Sequence, residues 1–386
     1  PRRNRQFAKK KDADHFAAQA KIEVGQGTHV PDAASITVSQ AAEIWYKAVS
    51  VGRNGRTPAE ASTLRQYRQH IDLHIVPAIG DLKLSRLTGP RCADFRDELL
   101  ATKSRALAKK VLTSFKSIIR EAQTRGQIVA NPAASVSIQS TADSRHRAEI
   151  EVPQRDEVRA LLAKLDELAT QPNKQHAKAW RRYRAIIATA VHTGMRASEL
   201  RGLPWDAVDL KAGRLEVRQR ADESGQIGPP KSAAGRRRIN LPQSLVKILR
   251  EWKAECPPGA LVFPNWQGEV ESLANIHTRA WKPLQLAAGV VKPAARKTPA
   301  DEAEVATSET GSEEEPVLVA KYTFHSLRHF RAAMLIADGA NPKEVQDELG
   351  HANIATTMDV YGSLFRDEIA EQERRARADR LASSLL

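Results

Sequence analysis

The sequence predicts a mainly α-helical protein with one small antiparallel β-sheet, divided into two folded parts. Three observations carry this expectation. Apolar residues recur at helical spacing through residues 39–125 and again through 154–193. Strict alternation is confined to Leu215-Glu216-Val217 and Ile239-Asn240-Leu241. Between the two helical tracts, residues 136–152 are mostly small and polar, the composition of a flexible tether.

Residues 1–35 open with Arg2, Arg3, Arg5, Lys9, Lys10 and Lys11, and the apolar positions of 12–24 suit a short amphipathic helix. The first folded part spans 36–135. Ser39 is the expected N-cap of a helix Gln40–Val49. A second helix runs from Pro58 to Leu73 and ends ahead of Pro77, because the residue before a proline is pushed out of the α region. Two more follow at Gly89–Ala101 and Arg105–Arg125, the latter stopped by Gly126. The second part spans 153–386. It starts with helices Gln154–Ala169 and Lys178–Thr193. The two alternating segments form a hairpin around Lys231, and Ala260–Phe263 is a candidate third strand. Residues 292–320 are rich in Ala, Pro, Glu, Ser and Thr, peak in charge at Glu313-Glu314-Glu315, and have the character of a disordered insertion. A helix Ser326–Asp338 follows, and the chain closes with a charged helix Arg366–Leu385 whose few apolar residues cannot fold it alone.

At 386 residues the chain is long enough for two or three domains with their own cores. Its 60 Lys and Arg against 46 Asp and Glu give a formal charge of +14, which draws it to a polyanion. Nucleic acid is the expected partner, since each phosphate neutralised releases counterions. Cys92 and Cys256 supply neither a disulfide framework nor a zinc set, which fits a reducing, cytoplasmic setting. No apolar run reaches membrane-spanning length, so no membrane association is expected. The chain starts at Pro1 rather than Met, so its first residues are expected to be missing.

Cleaving a phosphodiester with side chains alone requires a nucleophile, positive charge around the nonbridging oxygens and a proton for the leaving 5′ oxygen. Arg196 and Arg328 each offer a planar fork of donors that stays charged at any working pH. Arg196 follows Gly194, suited to a sharp chain reversal, and so opens a new helix on which Glu199, one turn later, braces it. His325 and Arg328 lie three apart on a helix and face one phosphate, whereas His329, adjacent to Arg328, is read as structural. Lys231, held in a hairpin, is the candidate general acid. Tyr361 is the candidate nucleophile, with nearby cations and an imidazole base favouring its ionised form. The sequence contains no Walker phosphate loop and no ordered zinc set; no cofactor and no metal is expected.

The order Arg196, Lys231, His325, Arg328, His351, Tyr361, set in Thr193-Gly194-Met195-Arg196-Ala197-Ser198-Glu199-Leu200, Pro229-Pro230-Lys231-Ser232, His325-Ser326-Leu327-Arg328-His329 and Leu349-Gly350-His351, resembles the tyrosine recombinases, or phage integrase family. The resemblance runs from about Ser39 to about Phe365. Thr63, Tyr67, His70, Ile71, Ile75, Pro77, Gly80, Leu84, Leu87, Gly126, Ile128, Asn131 and Pro132 resemble the helical SAM-like core-binding domain of that family. The resemblance therefore implies a core-binding domain over 36–135 joined to a mixed α+β catalytic domain over 153–386, with residues 1–35 as part of an arm-type DNA-binding segment. It implies that His325 and His351 hydrogen-bond the phosphate, and that Tyr361 forms a 3′-phosphotyrosine. Four copies are then expected to pair two double-stranded DNA sites through a Holliday junction, without ATP. The resemblance also implies DNA-bending or directionality proteins as accessory partners, and the cytoplasm and nucleoid of a bacterial host as the setting. Two other readings share these features. A type IB topoisomerase uses a similar tyrosine and basic set, and a non-catalytic DNA-binding regulator can be built on the same scaffold.

Overall fold

The computed structural model describes residues 34–53, 55, 57–139, 151–294 and 317–366, with scattered residues near the two ends. The chain divides into two compact units, Pro1–His146 and Arg147–Leu386. The expected helix at 12–24 and the tail helix Arg366–Leu385 lie largely outside the described residues, as do positions 140–150 of the linker and 295–316 of the acidic insertion.

The first unit is helical. Its helices α1 (Val38–Val51), α2 (Ala61–His70), α3 (Gly89–Thr102) and α4 (Arg105–Thr124) close around Trp45, Ile71, Ile75, Phe95, Phe115 and Ile118. The cap of α1 is Thr37 rather than Ser39. Its hydroxyl accepts from the Gln40 amide while the Gln40 side chain accepts from the Thr37 amide, a reciprocal box that Ser39 cannot form because Gln40 is its immediate neighbour. Nor does the chain leave the helix before Pro77. After α2 it widens into a π-helical turn at Ile71–Ile75 and continues through Val76–Ile79, so Pro77 lies inside one helical run, just after the wide turn that gives its ring room. Val136 and Ile138, at the start of the linker expected over 136–152, are buried in this core.

The second unit begins with α5 (Arg155–Thr170) and α6 (Lys174–Thr193), the latter capped by Asn173, whose side chain accepts from the amides of Gln175 and His176. The short α7 (Ala197–Arg201) follows. A three-stranded antiparallel sheet has the order β1 (Val208–Asp209), β2 (Arg214–Val217), β5 (Arg237–Asn240), with Leu215 opposite Ile239. Between β2 and β5 a second small hairpin, β3 (Arg220–Ala221) with β4 (Ile227–Gly228), lengthens the excursion that carries Lys231. Ala260–Phe263 does not join the sheet. Leu261 makes an isolated bridge to Pro204, and the Val262 carbonyl accepts from the Trp252 indole, so the segment is held by the 203–205 turn and by α8 (Gln243–Glu255); β1 takes the third place instead. Helical segments covering 273–287, where the sequence defined no element, bury Ile276, Trp281 and Leu284. Strands β6 (Val291–Pro293) and β7 (Leu318–Ala320) pair across the insertion. Helices α9 (Ser326–Ala337), α10 (Pro342–Leu349) and α11 (Ile354–Tyr361) complete the unit.

Candidate active site

Two glycines bring the candidate residues together. Gly194 ends α6 in the left-handed conformation, φ +61°, and a Cβ there would lie 2.9 Å from the Leu349 and Arg331 side chains. Its carbonyl is turned to Arg328, whose Nη1 donates to it at 2.9 Å while Nη2 donates to the Leu349 carbonyl at 2.7 Å. Gly350 ends α10 in the same way, φ +68°, and a Cβ there would lie 2.8 Å from the Ala234 carbonyl oxygen in the turn just after Lys231. The Thr-Gly-x-Arg and Leu-Gly-His pieces are therefore two halves of one packing arrangement, with Arg328 bridging both.

Arg196 is the N-cap of α7. Glu199 accepts from its backbone amide at 3.0 Å and from its Nη1 at 2.8 Å, as the one-turn spacing predicts, and Arg196 Nη2 reaches the Gly350 carbonyl at 3.2 Å. The same buried carboxylate also accepts from Arg237 Nη2 at 2.9 Å. Arg237 further donates to the carbonyls of Glu348 and Gly235, tying β5 to α10. Burial by itself raises the Glu199 pKa, but Arg237 and Arg196 more than offset this and hold it below the ordinary value. For Arg328 burial comes first and the Arg196 cation adds to it, pulling the guanidinium down to about 9; it stays charged at neutral pH.

The tyrosine side is dry. Tyr361 is only 1% exposed. Burial raises its pKa to about 12, against the opposing pull of Arg328 and Arg196, so in this DNA-free arrangement the neutral phenol is favoured rather than the phenolate. Its hydroxyl lies 2.8 Å from Nδ1 of His329. His329, read from the sequence as structural, thus faces the tyrosine; it is one helical turn from His325, i and i+4, and the two rings meet edge to face at 4.9 Å. His351 lies nearly parallel to the Tyr361 ring, 6.4 Å between centroids, and its Nδ1 shares a 2.9 Å hydrogen bond with the Thr357 hydroxyl. Burial, then the charges of Arg328, Arg196 and Arg237, bring His351 down to about 3. His325 reaches about 4 for similar reasons, desolvation first and then His329, Arg328 and Arg196, although part of its side chain is open to solvent.

Thus Arg196, Glu199, His325, Arg328, His351 and Tyr361 converge, and Lys231 lies on the exposed limb between β4 and the Ala233–Gly235 turn that packs on Gly350. Sequence reasoning missed Arg237 and the contact of His329. Both left a signal: Arg237 shares the inward face of β5 with Ile239, and His329 follows His325 by four. Among the described residues no group of three or more His, Cys, Asp or Glu is placed to hold a metal ion, and no helix is long and apolar enough to cross a membrane.

A helical unit followed by this mixed unit, with a tyrosine beside two guanidiniums, defines a class. Residues 152–366, more than half of the chain, match the phage integrase family and residues 54–100 match its N-terminal SAM-like domain; the chain belongs to the phage integrase family and is a tyrosine-type site-specific DNA recombinase. Among its relatives, a XerC-like tyrosine recombinase of Caldanaerobacter subterraneus is 24% identical, over 91% of this chain and 85% of that protein. An integrase of Streptomyces ambofaciens is 25% identical, over 86% and 78%. Among solved structures, the Tn1549 transposon integrase in complex with transposon right end DNA is similar with a TM-score of 0.61 and 18% identity, covering 90% of this chain and all of that one. A lambda integrase tetramer bound to a Holliday junction is similar with a TM-score of 0.57 and 20% identity, covering 94% and 88%.

Proposed function

We propose that the chain integrates or excises a phage or related mobile element by cutting and rejoining duplex DNA through Tyr361. The observation that carries this reading is the convergence of a phenol and two guanidiniums from distant segments of the sequence, with each arginine oriented by backbone carbonyls. Arg196 and Arg328 hold the nonbridging oxygens and stabilise the charge that builds up in the transition state. His325 and His351, both neutral at working pH, add hydrogen bonds. Tyr361 attacks phosphorus to give a 3′-phosphotyrosine, and Lys231 protonates the departing 5′ oxygen. Glu199 positions Arg196. The covalent link conserves the bond, so a 5′ hydroxyl from a partner strand reverses the step without ATP. The core-binding domain over 36–135 contacts phosphates of the duplex, and the domain over 153–386 carries the chemistry. Four copies on two sites pass through a Holliday junction, with DNA-bending or directionality proteins as accessories, in the cytoplasm of a bacterial host with its nucleoid as the target.

Incubating the protein with fragmented DNA of its source in EDTA, denaturing, and sequencing the covalently attached ends tests this, with Tyr361→Phe as control. Adducts at one or a few sequences, absent from the variant, are expected. Scattered adducts would favour a topoisomerase that lets the nicked strand rotate, and tight binding without adducts a regulator.

A further inference from the structure

Attack by Tyr361 releases a proton, and among the described residues neither of the two histidines assigned to the phosphate hydrogen-bonds its hydroxyl. His351 engages Thr357 through Nδ1 and lies parallel to the phenol at 6.4 Å, and His325 meets the edge of His329. Among the described residues the Tyr361 hydroxyl has one hydrogen-bond partner, Nδ1 of His329 at 2.8 Å. With a phenol 1% exposed, bulk water does not reach that proton either. His329 is half-buried and rooted on α9 one residue after Arg328, so the group facing the phenol and the group facing the phosphate are set by the same turn of helix.

We infer that His329 is the general base of the cleavage step, its Nδ1 taking the Tyr361 proton as Oη attacks the scissile phosphorus. This rests on the reading of Tyr361 as nucleophile. In the step the Oη–H bond breaks and its proton moves to Nδ1, giving an imidazolium. An Oη electron pair forms the bond to phosphorus, and the P–O5′ bond breaks with its pair on the 5′ oxygen, which takes a proton from Lys231. Rejoining runs the same transfers backwards, with His329 returning its proton to the departing phenolate, so both groups end each cycle as they began. Burial and the Arg328 charge hold the His329 pKa below its ordinary 6.5, which keeps the imidazole neutral before reaction and, with its proton on Nε2, leaves Nδ1 free to accept. The imidazolium formed is offset by the phosphate charge that builds up beside it.

The test uses the full chain and a nicked duplex carrying the sequence at which the wild type leaves covalent ends, and measures single-turnover adduct formation for His329→Ala, His329→Asn, Lys231→Ala and Tyr361→Phe. Loss of a positioned base is expected to slow His329→Ala by about 10²–10³-fold. Asparagine keeps an acceptor near Oη but cannot take a proton, so His329→Asn is expected to be as slow. Free imidazole is expected to restore at least about tenfold to His329→Ala and nothing to Lys231→Ala. His329→Asn matching the wild type would reduce His329 to a positioning role. A faster His329→Ala would make the contact a latch on an idle tyrosine. Either result overturns the inference. Adducts that survive in Tyr361→Phe, or their absence from the wild type, would instead remove the nucleophile and the base together. Thermal melts of each variant separate these outcomes from misfolding, and the asparagine variant carries the test where alanine does not fold.

Discussion

The site is made of two halves that are anchored differently. The arginine half grows out of the main core of the second unit: Met195 and Leu200 flank Arg196, Ile239 follows Arg237, and Leu327 precedes Arg328, all buried in one large cluster. The tyrosine half rests on a satellite cluster in which Ala332, Val345, Leu349 and Tyr361 are the buried members, and its helix α11 leaves Ile354 and Met358 exposed. Charge stabilisation is thus built into the larger core, where donors held by packing need little reorganisation. The nucleophile sits on the part with the fewest buried contacts, from which local opening is cheapest. With the phenol 1% exposed, a phosphorus reaches Oη only after a small shift of α11, one that opens the hydroxyl to the phosphate while keeping it within reach of Nδ1 of His329.

The sharpest break of the comparison is Tyr361→Phe. Covalent adducts are expected to fall by about 10⁵-fold or more, the scale of losing a nucleophile. Stability should change by only about 1 kcal/mol, the net worth of one hydrogen bond. Adduct gels and thermal melts check the two numbers, and a loss of several kcal/mol would mean that the satellite is as tightly integrated as the core. Arg328→Lys cuts the other half. It removes the fork that satisfies the Gly194 and Leu349 carbonyls, so adduct formation should fall by about 10²–10³-fold and stability by about 1–3 kcal/mol.

Glu199→Gln probes the arginine half through stability and its pH dependence. The variant leaves Arg237 buried without its countercharge, at a cost of about 3 kcal/mol at neutral pH. Because the folded-state pKa of Glu199 lies below the ordinary 4.5, its contribution is fully present above that value and lost as pH falls through the lower folded one. Urea unfolding should therefore show a gap between wild type and variant that is constant above pH 4.5 and closes in acid.

The parts of the site that were legible in the sequence are those that constrain the backbone. Gly194 and Gly350 stand where α6 and α10 must end in a left-handed turn against close neighbours, and such requirements leave a residue-specific mark. Residues whose role comes from tertiary packing left fainter marks. Arg237 is the middle of three arginines, and only the inward parity of Ile239 distinguishes it. His329 is adjacent to Arg328, which hides its contact with the tyrosine, and only its one-turn relation to His325 points to the shared face. The fold divides in the same way. Long amphipathic helices such as α4 were readable from their period, whereas β1, at two residues, has no period to read, and the apolar run Ala260–Phe263 imitated a strand while being buried by Trp252 and the 203–205 turn. For Tyr361 the sequence exhibits the cations that lower its pKa but not the burial that raises it.

The smallest expected effect tests the seam between the halves. Thr357 lies on the tyrosine helix and is fully buried, and its hydroxyl shares the 2.9 Å hydrogen bond with Nδ1 of His351, which follows Gly350 in the arginine half. Thr357→Val keeps the shape and β-branching and removes only this bond, so a stability loss of about 1 kcal/mol is expected. Adduct formation should drop less than about tenfold if His351 stays in place by packing alone. A drop as large as that of His351→Ala would mean that the hydroxyl sets which ring nitrogen carries the proton, and so which one faces the phosphate. In that case the two halves are coupled chemically as well as by contact, and a shift of α11 that frees Tyr361 would change the hydrogen bonding of His351 in the same movement.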